Sequence, residues 1–324
     1  MIETLNSFKN IGPGDAHHLA RYYAGFAKTR KYPRFYMAPL WLGTKGEFIH
    51  GIVNGCLCVV KRRVMYKNPV IYLILPPMHQ DGDLKAEMAV VRRFQERGIG
   101  ARLSEEDVTL YGLSGDVAVD KGNSEYIYRA GDYLDLSGKQ NSNWRHQWNE
   151  LATKCNVKSL QRNVPRSTIT GCTAVDVLWR AVRGLSTTHA SKLVQSFDEF
   201  AKAVPACLHV IETASVTRAY SMSQQILPGW VGILLRQHDF AGAISDYSRA
   251  QHLLDTRYWA SETGPDTLLN IGAGVGVPGL DSAKTKLRPV RVMPIYKLSG
   301  DIPLTMEDYH NSKRKPEKTG FGFK

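Results

Sequence analysis

The stretch that bears most on the fold is Asn270-Ile-Gly-Ala-Gly-Val-Gly-Val-Pro-Gly-Leu-Asp-Ser-Ala-Lys-Thr-Lys-Leu-Arg-Pro289. An apolar run at 267–271 predicts a strand that leads into it. Gly272, Gly274 and Gly276 then allow the backbone to approach a ligand closely, or they only supply a turn. Both interpretations concern the segment that directly follows the predicted strand.

Polar side chains within this stretch are candidates for substrate binding. Asn270 can hydrogen-bond an acyl carbonyl, or it only ends the strand. Lys284 and Arg288 are four residues apart, so on a helix they share one face. That pair can bind a phosphate or a carboxylate, with arginine suited to a bidentate contact, or it forms a solvated basic face.

Strands and helices alternate through both halves of the chain. The dipeptide Asn54-Gly55 between two apolar runs predicts a tight β-hairpin. Apolar periodicity predicts strands at 48–53, 56–61, 70–75, 101–103, 126–128, 208–213, 230–236 and 267–271, and helices at 84–97, 143–155, 174–182, 191–204 and 244–258. This mixture predicts an α/β or α+β fold.

The length of 324 residues is typical of two domains of ordinary size. We expect an N-terminal domain at 1–140 and a linking helix at 141–156. A C-terminal domain at 157–310 is expected to carry the active site, followed by a basic, flexible tail at 311–324.

The composition, with 43% hydrophobic and 22% charged residues, is that of a folded globular protein. No apolar run is long enough to span a membrane, so a cytoplasmic location is expected. The five cysteines are odd in number and scattered, which argues against a disulfide framework. Cys56 and Cys58 lie in a predicted strand without further Cys or His ligands nearby, so we expect buried thiols and no metal.

The basic excess predicts an anionic partner. With 42 basic and 30 acidic side chains, the net charge is +12. Nucleic acid, either tRNA or DNA, is the expected partner, and an anionic lipid also fits. Basic and aromatic residues alternate from Lys28 to Tyr36, so Lys28, Arg30, Lys31 and Arg34 are candidates for binding nucleic acid. The alternative is a loop whose aromatic side chains pack in the core.

The segment Gln95-Glu-Arg-Gly-Ile-Gly100 has the spacing of a pyrophosphate-binding loop of acetyltransferases. Such a loop needs a helix after it, whereas here the predicted helix comes before it. Gly98 is therefore expected to end that helix in the left-handed conformation.

Two stretches and the helix between them resemble the C-terminal catalytic domain family of the phosphatidylglycerol lysyltransferases. The segment Glu125–Gly138 is similar to the family's Y-I-Y-x-x-x-D-L-x-x-L-x-G element, and Arg145 matches in the following helix. Within the opening stretch the matching residues are Asn270, Gly276, Gly279, Leu280, Ala283, Lys284 and Pro289. Gly274 replaces an acidic residue of the family, and Asp281 replaces an arginine.

The resemblance implies two tandem acetyltransferase-like (GNAT) domains, each a mixed, twisted sheet flanked by helices. Members of the family transfer an amino acid from aminoacyl-tRNA to a lipid. The expected activity is therefore an acyltransferase that moves an acyl group from aminoacyl-tRNA or acyl-CoA to an amine or hydroxyl. The altered positions leave two alternatives open: an enzyme that acylates a DNA base, or an inactive nucleic-acid-binding module. The oligomeric state stays open.

In an acetyltransferase-like fold, two central strands separate to admit the acyl donor, and here these are 230–236 and 267–271. The loop 237–243 after the first strand is expected to face the donor. Within it, His238 and Asp239 are candidates for the general base. The alternatives are a solvated histidine and a helix cap. Arg145, Asn270, Lys284, Arg288, Gly274 and Gly276 complete the predicted substrate-binding set.

Overall fold

The structure is a computed structural model, and two mixed β-sheets form its framework. It describes residues 5, 7–32, 34, 48–65, 68–120, 122–182, 194–237, 246–273 and 278–300. The predicted tail at 311–324 lies outside these ranges.

The first sheet has the strand order β1-β2-β3-β4-β6-β15-β7, with β5 paired to β3. Its strands are β1 Lys9–Asn10, β2 Phe48–Val53, β3 Cys56–Met65, β4 Asn68–Leu73, β5 Met78–His79, β6 Gly100–Ser104, β7 Val117–Val119 and β15 Ile295–Leu298. Among the described strands, β4 and β6 form the one parallel pair of this sheet.

The second sheet has the strand order β14-β8-β13-β12-β11-β10-β9. Its strands are β8 Glu125–Arg129, β9 Asn156–Leu160, β10 Ala206–Thr213, β11 Val216–Leu227, β12 Trp230–Gln237, β13 Leu268–Ala273 and β14 Arg291–Met293. As in the first sheet, the described strands include one parallel pair, here β12 and β13.

Helices cover both faces of each sheet. They are α1 Ala16–Ala27, α2 Leu84–Gln95, α3 Glu105–Leu110, α4 Ser142–Lys154, α5 Arg166–Val182, α6 Phe197–Ala203, α7 Tyr247–Thr263 and α8 Pro278–Lys286. In β3, Val59 packs with the residues of α1 and Val60 with those of α2, because successive side chains point to opposite faces. None of the helices in the described ranges is long and apolar enough to cross a bilayer.

Several local predictions are confirmed by the backbone. Asn54 and Gly55 both have positive φ, 48° and 76°, as the hairpin turn between β2 and β3 requires. Gly98 has a φ of 79° just after α2, so it ends that helix and does not open a phosphate-binding loop. Cys56 and Cys58 are buried on one face of β3, and all five cysteines are free.

The two sheets exchange strands across the predicted domain boundary at residue 140. Strand β8 belongs to the first predicted domain but pairs with β13 and β14 in the second sheet. Strand β15 belongs to the second predicted domain but pairs with β6 and β7 in the first sheet. Apolar periodicity predicts that a strand forms, but it does not say which sheet the strand joins.

Helix α7 buries polar side chains against the second sheet. His252 and Asp255 have no solvent exposure, and His209 in β10 faces Asp255 with 3.7 Å between Nε2 and Oδ1. Neither Asp255 oxygen has a hydrogen-bond partner among the described residues. Burial raises the pKa of Asp255 to about 7 and lowers the pKa of His209 to about 4. Both groups are therefore uncharged in the folded protein at mildly acidic pH.

The substitution Asp255→Asn should change how stability depends on pH. Between pH 4 and 7 the unfolded chain loses the Asp255 proton while the folded protein keeps it, so this group lowers stability as pH rises. We expect the free energy of unfolding of Asp255→Asn, relative to wild type, to increase across that window by up to about 1.4 kcal/mol per pH unit. Above pH 7 the difference should stay constant. Urea unfolding at a series of pH values measures it.

The control for loss of an aspartate carboxylate is Asp266→Asn, at an exposed position, measured over the same pH series. A difference for Asp255→Asn that is constant or shrinks between pH 4 and 7 would contradict the assignment.

Candidate active site

The parallel strands β12 and β13 separate part of the way along their length. They pair at Trp230 with Leu268, Val231 with Leu269 and Gly232 with Asn270. Strand β12 continues to Gln237 without β13 beside it, so a V-shaped gap opens beyond its vertex at Gly232 and Asn270. The prediction that these two strands are the separating pair is confirmed by this register.

Asn270 shapes the vertex of this gap. Its Nδ2 donates to Glu125 Oε2 at 2.9 Å, and its Oδ1 accepts from the backbone N–H of Gly272 at 2.7 Å. The side chain is buried, and Gly272 has a φ of 70°, which turns the chain away from β12. Both ends of the amide thus form hydrogen bonds within the protein, and these bonds fix β13 where it separates from β12.

Lys284 in α8 holds the end of β13. Its buried Nζ donates to the carbonyl oxygens of Ile271, Gly272 and Ala273 at 2.8, 2.8 and 2.7 Å. It also lies 5.6 Å from the ring centre of Tyr126. Backbone carbonyls therefore surround the ammonium, and its observed role is to fix the strand end.

The prediction that Arg288 shares a helix face with Lys284 is wrong. Helix α8 ends at Lys286, and Arg288 lies beyond it with a φ of 53°. Its guanidinium donates to Asn141 Oδ1 at 3.0 Å and to the Gln140 carbonyl at 2.7 Å. Arg288 is exposed, so it remains able to meet a ligand at the surface.

Arg145 is exposed in α4, and its Nη1 donates to the carbonyl oxygens of Leu136 and Gly138. It thereby holds the turn that precedes its own helix. The predicted residues His238, Asp239, Gly274 and Gly276 lie outside the described residues. Within the ranges described, no group of three or more His, Cys, Asp or Glu side chains can hold a metal ion.

An arginine closes the corresponding gap in the first sheet. Strands β4 and β6 are parallel and pair at Tyr72 with Gly100 and at Leu73 with Ala101. Ile74 and Arg102 come next along the two strands. Instead of a bond between them, Arg34 Nη1 donates to both carbonyl oxygens, at 3.0 and 2.7 Å. The guanidinium therefore fills the place where these strands begin to separate.

The other edge of Arg34 connects the two gaps. Its Nε and Nη2 donate to Glu125 Oε1 at 3.0 and 2.8 Å, while the second oxygen of Glu125 accepts from Asn270. All three side chains are buried. No role for Glu125 is predicted from the sequence. The one signal is its position, since an acidic residue there begins a strand of aromatic and apolar residues.

Burial of Arg30 and Arg34 corrects their predicted role in binding nucleic acid. Arg30 Nε donates to Asp107 Oδ1 at 2.6 Å and Nη2 to Glu87 Oε2 at 2.8 Å, in the interior near the first sheet. Arg34 is held as described above. Lys28 and Lys31 are exposed, so of these four residues they are the two that can reach a partner in solution.

No family model and no curated protein matches this sequence. Solved structures match its fold. A Bacteroides thetaiotaomicron protein of unknown function has a TM-score of 0.63 and 14% identity, over 90% of this chain and 98% of that one. The L-PGS of Bacillus licheniformis has a TM-score of 0.59 and 15% identity, covering 91% and 97%. A tandem GNAT protein from the clavulanic acid biosynthesis pathway has a TM-score of 0.50 and 8% identity, covering 91% and 99%.

These similarities confirm the predicted fold, because they extend over nearly the whole of each chain. The chain has the tandem acetyltransferase-like architecture, and its fold resembles that of the phosphatidylglycerol lysyltransferase family. At these low identities the likeness concerns the fold.

The substitution Arg34→Met should destabilise the protein strongly. It leaves the Glu125 carboxylate buried without its cation and removes the donor to the carbonyls of Ile74 and Arg102. We expect a loss of about 3–5 kcal/mol in the free energy of unfolding, measured with urea. The exposed Lys31 provides the control, and Lys31→Met should stay within about 0.5 kcal/mol of wild type. Equal stabilities for both variants would refute a structural role for Arg34.

Lys284→Met should lower stability, whereas Lys286→Met should not. Both lysines lie in the last turn of α8, but Lys286 is exposed and Lys284 is the donor to three carbonyls of β13. Since hydrogen bonds from a charged group are lost, we expect a cost of at least about 1.5 kcal/mol for Lys284→Met. Thermal unfolding followed by circular dichroism compares the pair. Indistinguishable melting temperatures would show that the strand end does not need the ammonium.

Proposed function

We propose that this protein is an acyl- or aminoacyl-transferase whose donor enters the gap between β12 and β13. The observation that carries the proposal is the separation of these parallel strands beyond Gly232 and Asn270. Beyond the vertex, the side of β12 that faced β13 has no strand partner in the described part of the chain. An extended ligand can therefore add beside β12 there, in the manner of a further strand.

We place the donor between β12 and β13 because the corresponding gap between β4 and β6 is filled by a side chain. Arg34 fills the vertex between β4 and β6 and is fixed there by Glu125. Opening that gap means exposing a buried ion pair, which is costly. At the second vertex, Asn270 bonds Glu125 in β8, and Lys284 in α8 bonds the end of β13. These contacts leave the β12 side of the gap without a strand in the described part of the chain.

Acyl transfer needs a group that accepts the proton of the attacking amine or hydroxyl, and donors that stabilise the oxyanion. His238 and Asp239 follow β12 directly in the sequence, so they remain the proposed bases. Backbone N–H groups of β12 that face the gap are suited to the oxyanion. The acyl group then passes from its oxygen or sulfur leaving group to the acceptor.

The charge favours a donor rich in phosphate. A net charge of +12 supports aminoacyl-tRNA in particular, and the exposed Lys28 and Lys31 are candidates to contact it. Acyl-CoA also carries phosphates, so the assay must compare both donors. Acceptors of the proposed reaction are an amine or a hydroxyl.

Turnover of radiolabelled donors with hydroxylamine as a generic amine acceptor tests the proposal. Aminoacyl-tRNA and acetyl-CoA are supplied separately, and formation of the hydroxamate is measured. Gly232→Val places a branched side chain at the vertex and should reduce turnover at least tenfold, while circular dichroism and the melting temperature remain near those of wild type. Leu235→Val on the same strand is the matched control and should keep wild-type turnover.

Full turnover by a folded Gly232→Val variant would place the reaction elsewhere. No turnover of either donor by wild type would remove the transferase proposal. In that case, salt-dependent binding of tRNA would support a binding module instead.

A further inference from the structure

Gln224 lies beside the vertex of the gap, on the strand next to β12. In the register of the second sheet, Gln224 is opposite Gly232, and Gly232 is opposite Asn270. Residues directly opposite one another in a sheet point to the same face. Neighbouring strands are about 4.8 Å apart, so the Cα atoms of Gln224 and Asn270 are separated by about 10 Å, with a glycine between them.

The amide of Gln224 is buried without hydrogen bonds. Its side chain is 1% exposed, and neither Oε1 nor Nε2 has a partner among the described residues. A carboxamide offers two N–H donors and an oxygen that accepts two bonds, and leaving these unmet in the interior costs stability. Such a group in a native protein calls for an explanation, and one explanation is a ligand.

Two polar side chains close to Gln224 form hydrogen bonds within the protein. Ser223, the adjacent residue in β11, donates to the Cys207 carbonyl and accepts from Trp259 Nε1. Asn270, across Gly232, uses both ends of its amide. Two amides thus lie on one face of the sheet on either side of a glycine, Asn270 with a bond at each end and Gln224 with none.

We infer that Gln224 binds the transferred acyl group and selects one that carries a hydrogen-bond donor next to its carbonyl. The inference rests on the proposed function and deepens it. The Nε2 and Oε1 atoms lie side by side, so the first donates to the acyl carbonyl and the second accepts from an α-amino or α-hydroxyl group. An acetyl or other unsubstituted acyl group leaves Oε1 unpaired in the interior, and it is disfavoured for that reason.

Three stable analogues of an acylated tRNA end test this selection by binding alone. They are 3′-amino-3′-deoxyadenosines that carry alanine, lactic acid or propionic acid in amide linkage at the 3′-nitrogen. The three differ only at the α-carbon, which bears an amino group, a hydroxyl or hydrogen. Isothermal titration calorimetry measures their Kd values for wild type, Gln224→Met and Gln225→Met. Methionine is close to glutamine in size and shape, and Gln225 is the matched control because its side chain points to the opposite face of β11.

Wild type and Gln225→Met should bind the alanyl and lactyl analogues at least tenfold more tightly than the propionyl analogue. Gln224→Met should bind all three with similar Kd values. Its melting temperature should equal or exceed that of wild type, because no hydrogen bond is lost in the absence of ligand. A lower melting temperature means that the amide is bonded inside the protein, and it would overturn the inference.

The inference also fails if wild type binds none of the analogues, if it does not discriminate among them, or if Gln224→Met still discriminates. These outcomes are distinct from failure of the proposed function. Discrimination without turnover of any donor leaves the ligand preference of Gln224 standing and removes the transferase proposal, and with it the role in transfer. Turnover without discrimination supports the transferase proposal and overturns the inference about Gln224.

Discussion

The ion pair between Arg34 and Glu125 is the interaction on which the geometry of both sheets depends. A buried charge pair is stable only when hydrogen bonds satisfy its remaining donors and acceptors. Here the planar guanidinium bonds two backbone carbonyls on one side and Glu125 on the other. Glu125 in turn bonds Asn270. Closure of the gap in the first sheet and the shape of the gap in the second sheet are therefore parts of one network.

Exchange of strands is what brings that network together. Glu125 comes near Asn270 because β8 leaves the first half of the chain and pairs with β13. In return, β15 comes from the far end of the described chain to complete the first sheet. Neither sheet consists of one contiguous stretch of sequence. Side chains in direct contact thus connect the vertex in one sheet to the vertex in the other.

Asn270 and Lys284, which match the family, differ in role from Gln224, which we infer selects the acyl group. Asn270 has a hydrogen bond at each end of its amide and Lys284 donates three, so they give the vertex its rigidity. Gln224 has no such bonds, and its hydrogen-bonding capacity is left for a ligand. A rigid vertex beside an unsatisfied amide is an arrangement that can hold an acyl group in one orientation.

Local signals in the sequence determined the elements of this protein. The dipeptide Asn54-Gly55, the glycine at 98 and the apolar runs at 230–236 and 267–271 each act through backbone conformation or periodicity, which extend over only a few residues. These elements, together with short motifs that resemble those of a known family, predicted the tandem fold. Sequence therefore located the strands between which the gap opens.

Only the tertiary structure decided which sheet each strand joins and which charges are buried. Arg30 and Arg34 lie in a segment whose composition is typical of nucleic-acid binding. Yet both form buried ion pairs with carboxylates from strands and helices distant in sequence. Arg288 leaves the helix that its spacing from Lys284 predicted. The stretch from Asn270 to Pro289 shows the same division. Its apolar start predicted a strand and its glycines a turn or a close approach to a ligand. The partners of Asn270 and Lys284 come from long-range contacts, which no local pattern encodes.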